Sequence, residues 1–350
     1  SFTVAASRRL YVGEGGTGTL NVSGTGTVTC SNIPDGGIRL GVNTGSSGTV
    51  NLDGGTLRAA LISKGTGSGT FNFNGGTLRA VASNASFMQG LDAANVLAGG
   101  AVIDTAGNNI NIAQALLDGG TGGGLTKNGN GTLNLNGGNT YTGPTVVSAG
   151  TLGGTGTIAG ALTNNATLAP GDGGIGTLTV SGDVTLKAGS TNVMEINKTT
   201  MTSDLVTGST AITYGGTLVL KNLSGDLQVG DTFTVFSAGA YAGGFASVVS
   251  QTPGQTVTWD TTQLAPGGNG TVKVLTAVAA PVTLAPVVSG GNMTLSWPAN
   301  QIGWQLQRQV NSLAVGLSTN WVAVPGSTDV NQVVLPVDAT KPTEFFRLVF

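Results

Sequence analysis

The sequence predicts an all-β chain: a parallel β-solenoid followed by a small β-sandwich. Three observations carry this: a strand-and-turn phrase that repeats, an alternation of period two inside it, and an abrupt change of composition near residue 277. The phrase GTVNLDGGTLRA at 48–59 returns as GTFNFNGGTLRA at 69–80, 21 residues later. Only Val50, Leu52 and Asp53 change, to Phe71, Phe73 and Asn74. Relatives of it begin at Gly18 (GTLNVSGTGTV), Gly131 (GTLNLNGGNTYTG), Gly176 (GTLTVSGDVTL) and Gly215 (GGTLVLKNLSG).

Each phrase alternates apolar and polar residues, the mark of a strand with one buried face. Val50 and Leu52 point one way and Asn51 the other; the Gly-Gly that follows allows the positive φ of a tight turn. Short strands at a period of about 20 residues suit the rungs of a three-sided solenoid. One rung cannot bury its inner face alone, so rung must repeat rung. Asn51 is then expected beneath Asn72, Thr56 beneath Thr77, Leu57 beneath Leu78 and Arg58 beneath Arg79. The polar columns hydrogen-bond along the stack, and the arginine pair is tolerable only on a solvated face. About a dozen rungs are expected over residues 1–276. The best helical candidate is 85–100 (ASFMQGLDAANVLAGG), which Gly90 interrupts, so at most a short helix is expected there.

Composition agrees. Charged residues make up 9% of the 350, against about 25% in a typical soluble chain. Glycine is abundant at 60 residues but follows no every-third pattern, which excludes collagen. Hydrophobic residues at 39% are too many for a disordered glycine-rich linker. Net charge is −2 with the basic residues scattered singly, which argues against nucleic acid. No apolar run reaches the length of a membrane helix. The chain starts at Ser1 and is expected to have a processed or trimmed start.

Only five of the 60 glycines follow Pro281, whereas Trp297, Trp304 and Trp321 all do. Residues 277–288 (AVAAPVTLAPVV) read as an extended linker. Residues 289–350 then read as about five alternating strands, a fibronectin- or immunoglobulin-like sandwich whose tryptophans are expected mainly in its core.

Three stretches, 123–152 (GGLTKNGNGTLNLNGGNTYTGPTVVSAGTL), 166–196 and 215–248, resemble the passenger region of bacterial autotransporters. The first is similar to the passenger-associated strand repeat. The resemblance implies a right-handed solenoid, secreted by a bacterium and displayed at or released from a cell surface. It carries over no catalytic residue. Where an autotransporter ends in a membrane barrel, this chain ends in the tryptophan-bearing module, so another anchor or a free polymer is expected.

Chemistry is sparse. With no histidine, the Ser-His-Asp and Cys-His arrangements and histidine-ligated metals are absent. Cys30 is the one cysteine, expected as a small buried residue without a disulfide. The segment 119–129 (GGTGGGLTKNG) lacks the Lys-Ser/Thr ending of a phosphate-binding loop. A polysaccharide lyase or glycosidase on a solenoid needs paired carboxylates; Asp172, Asp183 and Glu195 come closest, the first two in turn sequences. Arg39, Arg58 and Arg79 could form a thin basic stripe, but a solvated face accounts for them. No enzyme activity, cofactor or metal is expected.

A solenoid exposes a bare rung at each end. Phe2, Thr3 and Val4 alternate as a strand with one apolar face, with no polar cap before them, and are the candidate subunit interface. The expected function is that of an extracellular structural protein, self-assembling through its solenoid ends, the C-terminal sandwich serving as a cap. The alternative is an adhesin-like passenger that binds glycans or surfaces.

Overall fold

The computed structural model describes residues 1–4, 9–30, 37–120, 122–279, 284–298, 302–312, 314–338, 340–341 and 343–349. The contacts divide the chain into one unit of 1–251 with 258–275 and another of 252–257 with 276–350.

The first unit is a parallel β-solenoid of three faces. On what we call the third face, eleven strands follow one another in chain order, from Leu10–Val12 through Ile38–Leu40 and Thr132–Leu135 to Ser247–Gln251. Eleven rungs at about 4.8 Å make a stack about 50 Å long. The first and second faces share a 17-stranded sheet because some strands bend across a corner. Ser47–Ala59 is one: its residues 47–52 pair with Ser68–Phe73 and its residues 56–59 with Thr77–Ala80.

The register is the one the repeated phrase requires. Asn51 pairs with Asn72, Thr56 with Thr77, Leu57 with Leu78 and Arg58 with Arg79. Inward, Leu52, Phe73 and Val96 form one fully buried column, with Val50, Phe71 and Ala94 beside it. The Phe71 and Phe73 ring centroids lie 4.5 Å apart. Gly76 explains the doubled glycine: a Cβ there would meet the Gly54 carbonyl oxygen of the previous rung at 2.3 Å.

Outward, the amides of Asn21, Asn51, Asn72 and Asn95 form a ladder. Asn51 Nδ2 donates to Asn21 Oδ1 (2.8 Å), Asn72 to Asn51 (2.7 Å) and Asn95 to Asn72 (2.8 Å). Asn72→Ala therefore breaks two rungs of the ladder and Asn95→Ala one. At about 0.5–1.5 kcal/mol per hydrogen bond, denaturant unfolding should show the former variant losing roughly twice as much stability. Equal losses would mean that the amides do not act as a ladder.

No α-helix occurs among the described residues; 85–100 instead contributes to Asn84–Met88 and forms Ala93–Val96. Phe87, Met88, Leu91, Ala94 and Val96 point inward and are covered by adjacent rungs, and Gly90 turns the chain at φ +72°. The three arginines form no stripe, because Arg39 lies on the third face and Arg58 and Arg79 on the second. Asp104 follows Arg79 in the same column and pairs with it, which relieves the like-charge contact.

Towards its C-terminal end this unit adds antiparallel structure. Thr232–Thr234 pairs with residues 271–273, and Phe233 meets Trp259 edge to face at 6.4 Å. Tyr214, Phe236, Tyr241 and Phe245 cluster beside it.

The second unit holds two three-stranded antiparallel sheets. Ala285–Ser289, Asn292–Ser296 and Gln332–Pro336 form one; Val322–Ala323, Gln305–Val310 and Glu344–Val349 form the other. They share a sandwich core of Leu295, Trp297, Leu306 and Val324. Trp304 and Trp321 are half-buried, and the Arg347 guanidinium lies 4.3 Å above the Trp321 ring. Of the stretch read as a linker, 277–279 end the strand Thr271–Ala279 and 285–288 lie in Ala285–Ser289. Residues 280–283, with Pro281, lie outside the described residues. Pro286 fits this position because an edge strand tolerates a missing N–H.

Candidate functional site

Three places in the solenoid gather chemistry or open surface: the first rung, one corner of the core, and a cavity on the third face.

The candidate interface residues lie in the first rung. Phe2–Val4 pairs parallel with residues 28–30 (Phe2 with Val28, Thr3 with Thr29, Val4 with Cys30). Leu10–Val12 pairs with Ile38–Leu40, and 17–22 with 47–52. Among the described residues each has a strand on one side only. Val4, Leu10 and Leu20 of this rung are half-buried, whereas Ile38 above Leu10 and Val50 above Leu20 are buried, and Val12 and Val22 are buried already. Phe2 is 55% exposed and Tyr11 43%. Cys30 is buried, which pushes its thiol up to about 11 and leaves it unreactive.

At the core corner lies Lys127. It points inward from Leu125–Asn128, between Ile103 and Val147 in one column, and is wholly buried. Its Nζ donates to Thr105 Oγ1 (3.0 Å) and to the carbonyls of Asn128 (3.0 Å), Gly129 (2.7 Å) and Ala149 (2.9 Å). Those acceptors belong to three successive rungs, so one ammonium staples three turns. Burial lowers its pKa to about 8, and the Asp104 charge acts against the shift. A lysine committed to the core cannot reach a phosphate, which disposes of 119–129 as a nucleotide loop.

The third-face cavity, of about 580 Å3, is bordered by Asn84, Asn111, Asn134, Asp172, Glu195 and Asp204 among others. Part of its border is a glycine-rich strap, residues 171–174. After Thr167–Leu168 the chain doubles back and forms an antiparallel bridge between Gly154 and Gly171 (N···O 2.7 and 3.0 Å). Gly171 and Gly173 take φ of +95° and +81°. At the tip Asp172 accepts three amides: Asn111 and Asn136 on Oδ2 (2.6 and 2.8 Å) and Asn134 on Oδ1 (2.6 Å).

Of the three carboxylates singled out from the sequence, the structure brings Asp172 and Glu195 to this cavity, while Asp183 lies in a turn elsewhere. Glu195 is neutralised by Lys221 at 2.9 Å. Asp204, which no sequence signal marked, is fully buried behind Glu195 and accepts the backbone N–H of Gly176 (2.8 Å) and of Glu195 (2.7 Å). Burial pushes its pKa up to about 7, aided by the nearby Glu195 charge and opposed by those two N–H groups.

Both Asp204 oxygens are occupied by backbone, so it holds the hairpin at 196–204 and offers no lone pair to a substrate. Its titration has a defined sign. The folded pKa lies above the unfolded one, so its contribution is full below about 4 and is lost as pH rises towards about 7. Thermal unfolding at pH 4.5, 5.5 and 7 should show this downward slope, flattened in Asp204→Asn. An identical slope in the variant would remove Asp204 as its source.

Among the described residues no group of three or more His, Cys, Asp or Glu is placed to hold a metal ion, and no helix is long and apolar enough to cross a membrane. What the cavity offers chemically is a row of amide donors and acceptors.

Comparison with known families gives one match, the passenger-associated-transport-repeat, over residues 125–153. The match covers Lys127 and its acceptors Asn128, Gly129 and Ala149, and it runs from one second-face strand past the next. It is a structural repeat of extracellular autotransporter passengers rather than a catalytic family. No curated protein matches the chain.

Proposed function

We propose, from the premise that this chain is an autotransporter-type passenger-repeat protein with a parallel β-solenoid fold, that it is a non-enzymatic extracellular building block. Copies join end to end, rung upon rung, into a surface fibre or matrix. The observation that carries this is the first described rung, where Val4, Leu10 and Leu20 are half-buried and Phe2 and Tyr11 are exposed. At the last rung Thr232–Thr234 is already paired by 271–273, and the remaining strands offer the matching surface. Phe236–Gly243 and Ser247–Gln251 each have one partner strand among the described residues, and Val248 and Val249 are 38% and 41% exposed.

A parallel rung laid on either end continues the backbone ladder and covers these residues. The contact joins unlike ends and does not close, so it propagates. The wall itself suits packing in a fibre: few charges, and amide and hydroxyl columns already hydrogen-bonded along the stack.

Charge at the open edge should stop assembly without unfolding the rod, because Phe2 and Tyr11 contribute little to the buried core. For Phe2→Asp/Tyr11→Asp we expect a sedimentation velocity profile of single rods at concentrations where the wild type forms larger species. Assembly undiminished in this variant would place the contact elsewhere.

A further inference from the structure

We propose that the cavity on the third face is a binding site for a linear, neutral polysaccharide chain, with the Asp172 strap at its border as an internal competitor. This goes beyond end-to-end assembly and does not depend on it.

The shape comes first. The cavity is bordered by residues of six consecutive third-face rungs, from Asn84 to Glu195. Five steps of about 4.8 Å make roughly 24 Å, a length that suits an extended oligosaccharide of several residues lying along the solenoid axis. The rung spacing is close to the rise of one pyranose in such a chain, so successive sugars would meet successive rungs in the same way.

The lining then selects the ligand. Its residues include asparagine amides and threonine hydroxyls, groups that both donate and accept, as vicinal sugar hydroxyls do. Ala85, Ala169, Pro170 and Val193 add small apolar patches for C–H faces. The lining has no Lys or Arg and presents the Asp172 carboxylate, which disfavours phosphates, nucleic acids and uronic acids. It has no aromatic wall for a lipid or a flat ring.

The site also shows an oxygen ligand already in place. Asn111, Asn134 and Asn136 aim three amide N–H groups at the one Asp172 carboxylate, which comes from a rung further along the chain. These rows therefore take an oxygen-rich ligand, and the strap supplies an internal one. Asn134 Nδ2 also donates to Asn111 Oδ1 (3.0 Å), as in the ladder of Asn21 to Asn95, but only the cavity row carries a carboxylate guest as well. Gly153 lets Asn134 and the strap backbone lie close together, since a Cβ there would meet Asn134 Oδ1 at 2.5 Å and the Gly171 carbonyl oxygen at 3.0 Å. Glycines at 171, 173 and 174 let the strap swing away from its Gly154 anchor.

The test is isothermal titration of the full chain with cello-, manno-, xylo- and chitohexaose, and with oligogalacturonate as the acidic control. One neutral hexasaccharide should bind saturably. Asp172→Ala removes the internal competitor and should tighten that binding about tenfold, a change of about 1.4 kcal/mol. Asn111→Ala/Asn134→Ala should weaken it at least tenfold, whereas Asn72→Ala, a ladder residue away from the cavity, should leave it unchanged; circular dichroism checks that each variant is folded. The proposal is overturned if neither wild type nor Asp172→Ala binds any neutral hexasaccharide at millimolar concentration. It is equally overturned if binding survives loss of Asn111 and Asn134, or if only the acidic chain binds.

Discussion

Lys127→Ala is expected to lower the stability of the solenoid by about 3–5 kcal/mol, among the largest effects of any single substitution in this chain. The ammonium is wholly buried and serves one hydroxyl and three carbonyls drawn from three rungs. Removing it strands those acceptors away from water and opens a space between Ile103 and Val147. Lys127→Met separates the two contributions: it refills the column and leaves the carbonyls unpaired, so it should recover only part of the loss. Guanidinium unfolding of all three proteins measures this. Full recovery by methionine would show that packing, not the staple, accounts for the cost.

Phe73→Ala is the second, with an expected loss of about 3–5 kcal/mol. Phe73 is fully buried between Leu52 and Val96 in its column and packs on Phe71 within its own rung. In a repeat stack each rung contacts only its neighbours, so the damage should be local. Hydrogen exchange should quicken most in 47–59, 68–80 and 93–104, and far less beyond residue 205. A uniform increase along the chain would mean that the solenoid unfolds as one unit instead of rung by rung.

Much of the fold is legible in the sequence, because rung must match rung. The phrase at 48–59 and 69–80 gives the register of Asn51 on Asn72 and of Leu57 on Leu78 directly. What could not be read is what breaks the repeat. Asp172 meets asparagines 61, 38 and 36 residues earlier, and nothing in APGDGG announces that this turn folds back over older rungs. Lys127 carries a charge at an inward position, where alternation predicts an apolar side chain. Its turn of glycines and carbonyls creates the need for a cation, and that need exists only after three rungs are stacked. Asp204 is marked by no spacing at all, since its partners are backbone N–H groups. The segment 85–100 was ambiguous for a related reason: its apolar residues fit a short helix as well as they fit strands, and only the neighbouring rungs decide. Arg39 and Arg58 make no stripe because Ile38–Leu40 pairs on the third face and residues 56–59 on the second.

The central claim is that one solenoid continues into the next. Fibre diffraction from aligned assemblies of the untagged chain tests it most directly. Rung-on-rung contact predicts a strong meridional reflection at about 4.8 Å together with filaments one solenoid wide. Isolated rods at every concentration, or bundles of rods lying side by side with no longitudinal growth, would contradict it.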